Sequence, residues 1–164
     1  MNRLIIAASL LTLATSSALA TGSHSGGHEK KMAVGQPGDA AAATRTIEIT
    51  MMEKDDGSMV FEPVMLNIKK GETVRFQLTN KGETDHEFVM DDHKSNQKHK
   101  KAMEKYPDME HADANAIRLE SGKSGEIVWT FSNSGKFEFA CLIPGHYEAG
   151  MRGDLTVDAK SASN

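Results

Sequence analysis

Residues 135–157 read GKFEFACLIPGHYEAGMRGDLTV and hold the only cysteine of the 164-residue chain. Up to that cysteine the segment alternates. In an extended strand Phe137, Phe139 and Cys141 share one face, while Lys136, Glu138 and Ala140 share the other. The thiol therefore points with the aromatic rings, toward a core. Beyond it a loop carries His146 five residues after Cys141 and Met151 five residues later. Pro144 stiffens the approach to His146, and Gly145, Gly150 and Gly153 let the backbone turn tightly. A thiol, an imidazole and a thioether on one short loop require a chemical reason.

The rest of the chain narrows that reason. Arg3, an apolar run over residues 4–13 and then Ser16, Ser17, Ala18, Leu19 and Ala20 follow the charged, apolar, small-residue order of a secretory signal peptide, with cleavage expected near Ala20. The run is short for a bilayer span, and no later segment approaches the roughly 20 apolar residues that a membrane helix needs. An exported, soluble protein is expected. In an oxidising compartment a lone cysteine makes no internal disulfide, so it is buried, reactive or metal-bound. The chain has 19 Lys and Arg against 23 Asp and Glu, and cleavage would remove one arginine and no acid. That balance lacks the basic footprint of a nucleic-acid binder. The residues left after cleavage suit one domain with one core.

Residues 21–43 are rich in Gly, Ser, Ala and His with almost no large apolar side chains, which predicts a flexible tail. From residue 44 onward the period becomes two. Ile47, Ile49 and Met51 alternate with Glu48 and Thr50; Val74, Phe76 and Leu78 alternate with Thr73, Arg75 and Gln77; Ile127, Trp129 and Phe131 alternate with Glu126, Val128 and Thr130. Turn residues separate these runs at Gly57, Gly71, Gly82, Gly122 and Gly135, the punctuation of an antiparallel β-sandwich or barrel. The exception is a polar, strand-poor stretch at about residues 91–115, read as an insertion. Ser95 there is the expected cap of a short helix running to Tyr106, stopped by Pro107.

Parity in DHEFVMD, residues 85–91, places His86, Phe88 and Met90 on one face and Glu87 and Val89 on the other. If Phe88 faces the core, so does His86. Two strands then present His86 and Cys141 to one apolar end of the sandwich, with His146 and Met151 supplied by the loop. Two imidazoles, one thiolate and a thioether suit a type 1 copper electron-transfer site. Zinc suits the set less well, because a thioether is a poor zinc ligand. Taken singly, each residue has an ordinary packing role; the shared parity, the expected export and the lack of a second cysteine favour joint metal ligation. A Cys141–His146 nucleophile would leave Met151 without a role and would lack the electropositive helix terminus that activates a thiol. No enzymatic activity is expected.

With the upstream DHEFVM, the segment at residues 135–157 resembles the cupredoxin family, the plastocyanin- and azurin-like blue copper proteins, from about residue 46 to residue 158. The resemblance implies an all-β Greek-key β-sandwich with the partly helical insertion, binding one copper per chain. It assigns His86 and His146 as imidazole ligands, Cys141 as the thiolate and Met151 as the axial thioether. It also implies one-electron transfer with redox or copper-handling protein partners, by a monomer. Many cupredoxins carry asparagine after the upstream histidine, where this chain has Glu87, so the usual tie between the two ligand segments is in question. The HEF version with a His- and Met-bearing tail is similar to periplasmic copper-tolerance cupredoxins. His24, His28 and Met32 in the tail, and Met90, His93, His99, Met103, Met109 and His111 in or beside the insertion, are candidates for weak additional copper. His99 and Met103 would share a helix face.

Overall fold

Two five-stranded sheets bury the alternating apolar residues between them. The computed structural model of the chain describes residues 32–107 and 113–159. In chain order the strands are β1 (Gln36–Pro37), β2 (Arg45–Glu53), β3 (Met59–Glu62), β4 (Met65–Lys69), β5 (Thr73–Asn80), β6 (His86–Asp91), β7 (Ala116–Leu119), β8 (Ser124–Thr130), β9 (Gly135–Ala140) and β10 (Arg152–Asp158), with one α-helix, α1 (His93–Lys105), after β6. One sheet has the order β1-β8-β5-β2-β3 and the other β4-β10-β9-β6-β7. The core takes Ile49, Met51, Val74, Phe76, Leu78, Ile127 and Trp129 from the first sheet and Leu66, Ile68, Phe88, Phe139, Leu155 and Val157 from the second. These are the residues that the period-two pattern turns inward. Phe61 meets Phe88 and Phe139 edge-on, at centroid distances of 5.7 and 5.2 Å.

The sandwich is mixed rather than purely antiparallel. Strand β2 pairs with β5 in parallel, and β10 pairs with β4 in parallel. Both pairs arise because the chain leaves the sheet between the two strands: after β3 it crosses to β4 in the opposite sheet before returning as β5. A parallel pair needs such a crossover.

The predicted flexible tail extends too far along the chain. Its first part and the signal peptide read in residues 1–20 lie outside the described residues, but from Met32 the segment is packed. Val34 is fully buried in the core, its carbonyl accepts from Trp129 Nε1 at 3.4 Å, and the Ala33 carbonyl accepts from Asn133 Nδ2 at 3.0 Å. Gln36 and Pro37 then pair with Thr130 and Trp129 at the edge of the first sheet. Val34, Met32 and a few backbone contacts hold this strap, too little apolar content for composition to reveal.

The insertion forms a helix, as expected, but it begins earlier. The N-cap is Asp92, whose Oδ1 accepts the Ser95 N–H at 3.0 Å and whose Oδ2 accepts the Ser95 hydroxyl at 2.7 Å. Ser95 is thus the donor within the cap and not the cap itself; the carboxylate three residues before the expected cap is the better acceptor. Helix α1 lies over the outer face of β6 and β9, where Met103 joins Val89, Ala140, Leu142 and Tyr147 in a second apolar cluster. Strand β6 is consequently buried on both faces over residues His86 to Met90. Among the described residues no helix is long and apolar enough to cross a membrane.

If the strap belongs to the fold, Val34→Ala, which removes two buried methyl groups, destabilises the metal-free protein by about 1–2 kcal/mol. Chemical denaturation followed by tryptophan fluorescence reads that loss, and copper stoichiometry stays at the wild-type value. A change of less than about 0.5 kcal/mol, the range of ordinary surface substitutions, would mean that the strap is not structural.

Candidate metal centre

Two connections between strands carry the predicted site residues. The first is the turn from β5 to β6. Asn80, fully buried at the end of β5, donates from Nδ2 to the Thr84 and Leu119 carbonyls at 2.7 and 2.9 Å and accepts the Gly82 N–H at 2.9 Å. That side chain replaces the ladder the backbone gives up on changing sheets, and it delivers His86 as the first residue of β6. The second is the loop from β9 to β10. Met151 closes it, with its carbonyl accepting the Cys141 N–H at 3.0 Å and its N–H donating to the His146 carbonyl at 3.0 Å. Gly145 and Gly150 take φ of +89° and +101°, which a side chain would strain. Gly153 serves differently from the expectation of a turn: a Cβ there would sit 2.6 Å from the Val64 carbonyl and against the Phe139 ring.

His86, Cys141 and His146 converge. Nδ1 of His86 is 3.3 Å from Nδ1 of His146, and that nitrogen is 3.4 Å from Cys141 Sγ. All three potential donor atoms lie within 4.8 Å of one another, and among the described residues no other such group of His, Cys, Asp and Glu forms. Ligands about 2.0–2.3 Å from a shared first-row ion stand roughly 3.3–3.8 Å apart, and the His86–His146 and His146–Cys141 separations match that spacing. The site is dry: His86, Cys141 and Met151 are fully buried, and only His146 is partly exposed. Burial holds both imidazoles below the ordinary histidine range, so each is neutral with a lone pair to offer. Burial also pushes the Cys141 thiol up to about 12, against N–H groups of Glu87 and Ile143 that favour the thiolate. The Glu87 N–H reaches Sγ at 3.3 Å. A free thiol so held is a poor nucleophile, whereas a bound cation displaces its proton. Met151 packs in the same core cluster as Cys141, on the loop that it closes.

Glu87 restores the tie that its identity put in question. Its buried carboxyl faces the N–H of Leu142, the residue after Cys141, with Oε2 buried and without a hydrogen-bond partner; burial raises the group to about 7 although the Leu142 N–H acts to lower it. Two groups near the site escaped the sequence reading. Glu53, at the end of β2, accepts the Glu83 and Thr84 N–H groups at 2.9 and 3.1 Å and the Thr84 hydroxyl; these bonds outweigh partial burial and hold it at about 2. Its Oε1 is 3.2 Å from His86 Nε2. Tyr147, next to His146, donates to Glu138 Oε2 at 3.3 Å and lies beneath the Arg152 guanidinium at 4.9 Å. Glu53 shares the inward parity of Ile49 and Met51, a signal that the sequence reading passed over, and only the fold of the 81–85 turn gives it a role.

Among the described residues, the accessory copper candidates are not gathered at this centre. His93 is largely exposed and pairs with Glu138 at 3.0 Å. His99 lines a cleft beside α1 with Asp91 and Asp113. Met90 and Met103 are core residues and Met32 packs against the core, so these thioethers are occupied in packing. His24, His28, Met109 and His111 lie outside the described residues.

The Glu87 tie predicts an asymmetry between two substitutions. Glu87→Ala leaves a buried N–H at Leu142 without an acceptor and destabilises the metal-free protein by about 1–3 kcal/mol, whereas Glu87→Gln, which keeps an acceptor oxygen, loses less than half of that. Urea denaturation of both variants checks the difference, and equal losses would show that the carboxyl is not the tie.

Comparison with known proteins agrees with this centre. The family model of copper binding proteins, plastocyanin/azurin family, matches residues 48–158. A copper-resistant cuproprotein CopI of Rubrivivax gelatinosus is 48% identical over 130 residues, covering 79% of this chain and 76% of that protein. The protein of the same name from Pseudomonas aeruginosa is 38% identical over 154 residues, covering 76% of this chain and 82% of its own. Among solved structures, dithionite-reduced auracyanin of Roseiflexus castenholzii superposes with a TM-score of 0.60 at 26% identity, covering 71% of this chain and 98% of auracyanin. The sandwich, the converging His86, Cys141 and His146, and these matches together place the chain in the plastocyanin/azurin family of copper-binding cupredoxins, with one copper per chain.

Proposed function

We propose that this chain is an exported, periplasmic copper-tolerance protein that holds one copper between His86, Cys141, His146 and Met151 and exchanges single electrons through it. The observation that carries this reading is the convergence of two imidazole Nδ1 atoms and one thiol within 4.8 Å in a buried site. Bound copper would supply a one-electron Cu(II)/Cu(I) couple. The chain's own part is to hold the donors still. The Met151 hydrogen bonds keep the loop closed, the Glu87 N–H directs a dipole at the sulfur, and β6 is clamped between core and helix. Such a frame suits both oxidation states without large movement. His146 is the one partly exposed donor, and its ring edge is where electrons pass to a docked redox partner. The copper-resistance role is supported by the names of the relatives at 48% and 38% identity, and export by the N-terminal segment. The same site serves as a sink for a toxic ion, and the chain acts as carrier and sink rather than as an enzyme.

Titration of metal-free protein with Cu(II), followed by visible absorption and paramagnetic resonance, is the direct test. An intense thiolate-to-copper band saturates at one equivalent and is absent from Cys141→Ser, while His146→Ala alters its energy and weakens binding by at least tenfold. A cell lacking the protein grows more poorly in copper, and the wild-type chain, but not Cys141→Ser, restores growth. No charge-transfer band would defeat the ligand assignment; an unchanged copper sensitivity would defeat the tolerance role and leave electron transfer alone.

A further inference from the structure

A neutral imidazole has one N–H and one lone pair, and a metal can use His86 Nδ1 only if the proton sits on Nε2. His86 Nε2 is buried and has no hydrogen-bond partner in good geometry. The polar atom facing it is Glu53 Oε1 at 3.2 Å, with the N–H not squarely aligned in the metal-free arrangement. A carboxylate only accepts, so with the proton on Nδ1 two lone pairs would face each other there in a dry environment. With the proton on Nε2 the same contact is attractive. Glu53 is itself fixed, since the Glu83 N–H binds Oε2 while the Thr84 N–H and hydroxyl bind Oε1. The backbone makes room for the pair. A Cβ on Gly82 would lie 2.7 Å from His86 Nε2 and closer still to Glu53 Oε2, so only glycine fits between the turn and the two side chains.

We propose that Glu53 is the positioning residue for the His86 ligand: its carboxylate keeps the imidazole proton on Nε2, leaves the Nδ1 lone pair facing the copper site, and sets a negative charge one ring away from the ion. The proposal rests on His86 being a copper ligand. The charge favours Cu(II) over Cu(I), so Glu53 lowers the reduction potential of the centre, and the turn that carries it belongs to the site although it supplies no donor. Outer groups of this kind commonly change metal affinity by 10- to 100-fold.

The experiment has a metal-free and a metal-loaded arm. In metal-free wild-type protein, long-range proton–nitrogen correlation spectra of the imidazoles show His86 in the Nε2–H form, and in Glu53→Gln the Nδ1–H form gains population. In the loaded protein, Glu53→Gln raises the ratio of Cu(I) to Cu(II) affinity by about tenfold, read as an upward shift in potential of about 59 mV for one electron. Glu53→Asp returns part of that shift. Thr84→Ala, which removes one brace from Glu53 but keeps the carboxylate, moves the potential by less than a third as much. An Nδ1–H form of His86 in the wild-type protein would overturn the proposal even if Glu53→Gln failed to fold. So would an unchanged potential in Glu53→Gln, or an equal shift in Thr84→Ala, which would make Glu53 only a brace for the turn. If the wild-type protein gave no charge-transfer band, the ligand assignment of His86 would fall, while the metal-free spectra would still decide whether Glu53 sets the tautomer.

Discussion

The antiparallel register between β6 and β9, with Val89 opposite Ala140 and Met90 opposite Phe139, is the constraint on which the site depends. Continued past the end of β9, it brings Glu87 beside Leu142 and lets the Glu87 N–H reach Cys141 Sγ. A slip of one residue would turn His86 to the outer face and Glu87 to the core. Phe88, whose ring lies 5.4 Å from that of Phe139 in the core, makes that slip costly, because it would move to the outer face with His86 and leave its place in the core unfilled. The aromatic core therefore does more than stabilise the sandwich; it aligns a histidine and a cysteine that are 55 residues apart in the chain.

Much of this arrangement was legible in the sequence because it rests on parity and local spacing. The alternation around Phe76, Trp129 and Phe139 sorted side chains correctly between core and surface, and the same rule put His86 and Cys141 inward. The loop from Cys141 to Met151 was readable because its chemistry is rare: three soft donors in eleven residues, with glycines where the backbone takes positive φ.

What escaped the sequence depends on contacts between distant segments. The strap around Val34 docks onto Trp129 and Asn133, about a hundred residues away, and its composition resembles that of unfolded chain. Glu53 acquires its partners only when β2 lies beside the turn after β5. The parallel pairing of β2 with β5 follows from the path of the chain between sheets, which period-two alternation does not encode. Helix α1 was visible as a helix, but not as the cover for β6: Val89 lies on the face opposite Phe88, and its burial needs a partner such as Met103 from outside the sandwich.

The spacing of the converging donors also bears on thermodynamic linkage. A ligand stabilises a fold only to the extent that it binds the folded chain better than the unfolded one. Cys141 and His146 are five residues apart, so a flexible chain can bring them to a single ion at little entropic cost, whereas His86 joins them only after β6 has paired with β9. Copper bound by Cys141 and His146 alone would therefore be available to the chain before folding is complete. The stabilisation gained on folding comes chiefly from the step that adds His86, and the strand carrying that residue is the one enclosed on both faces.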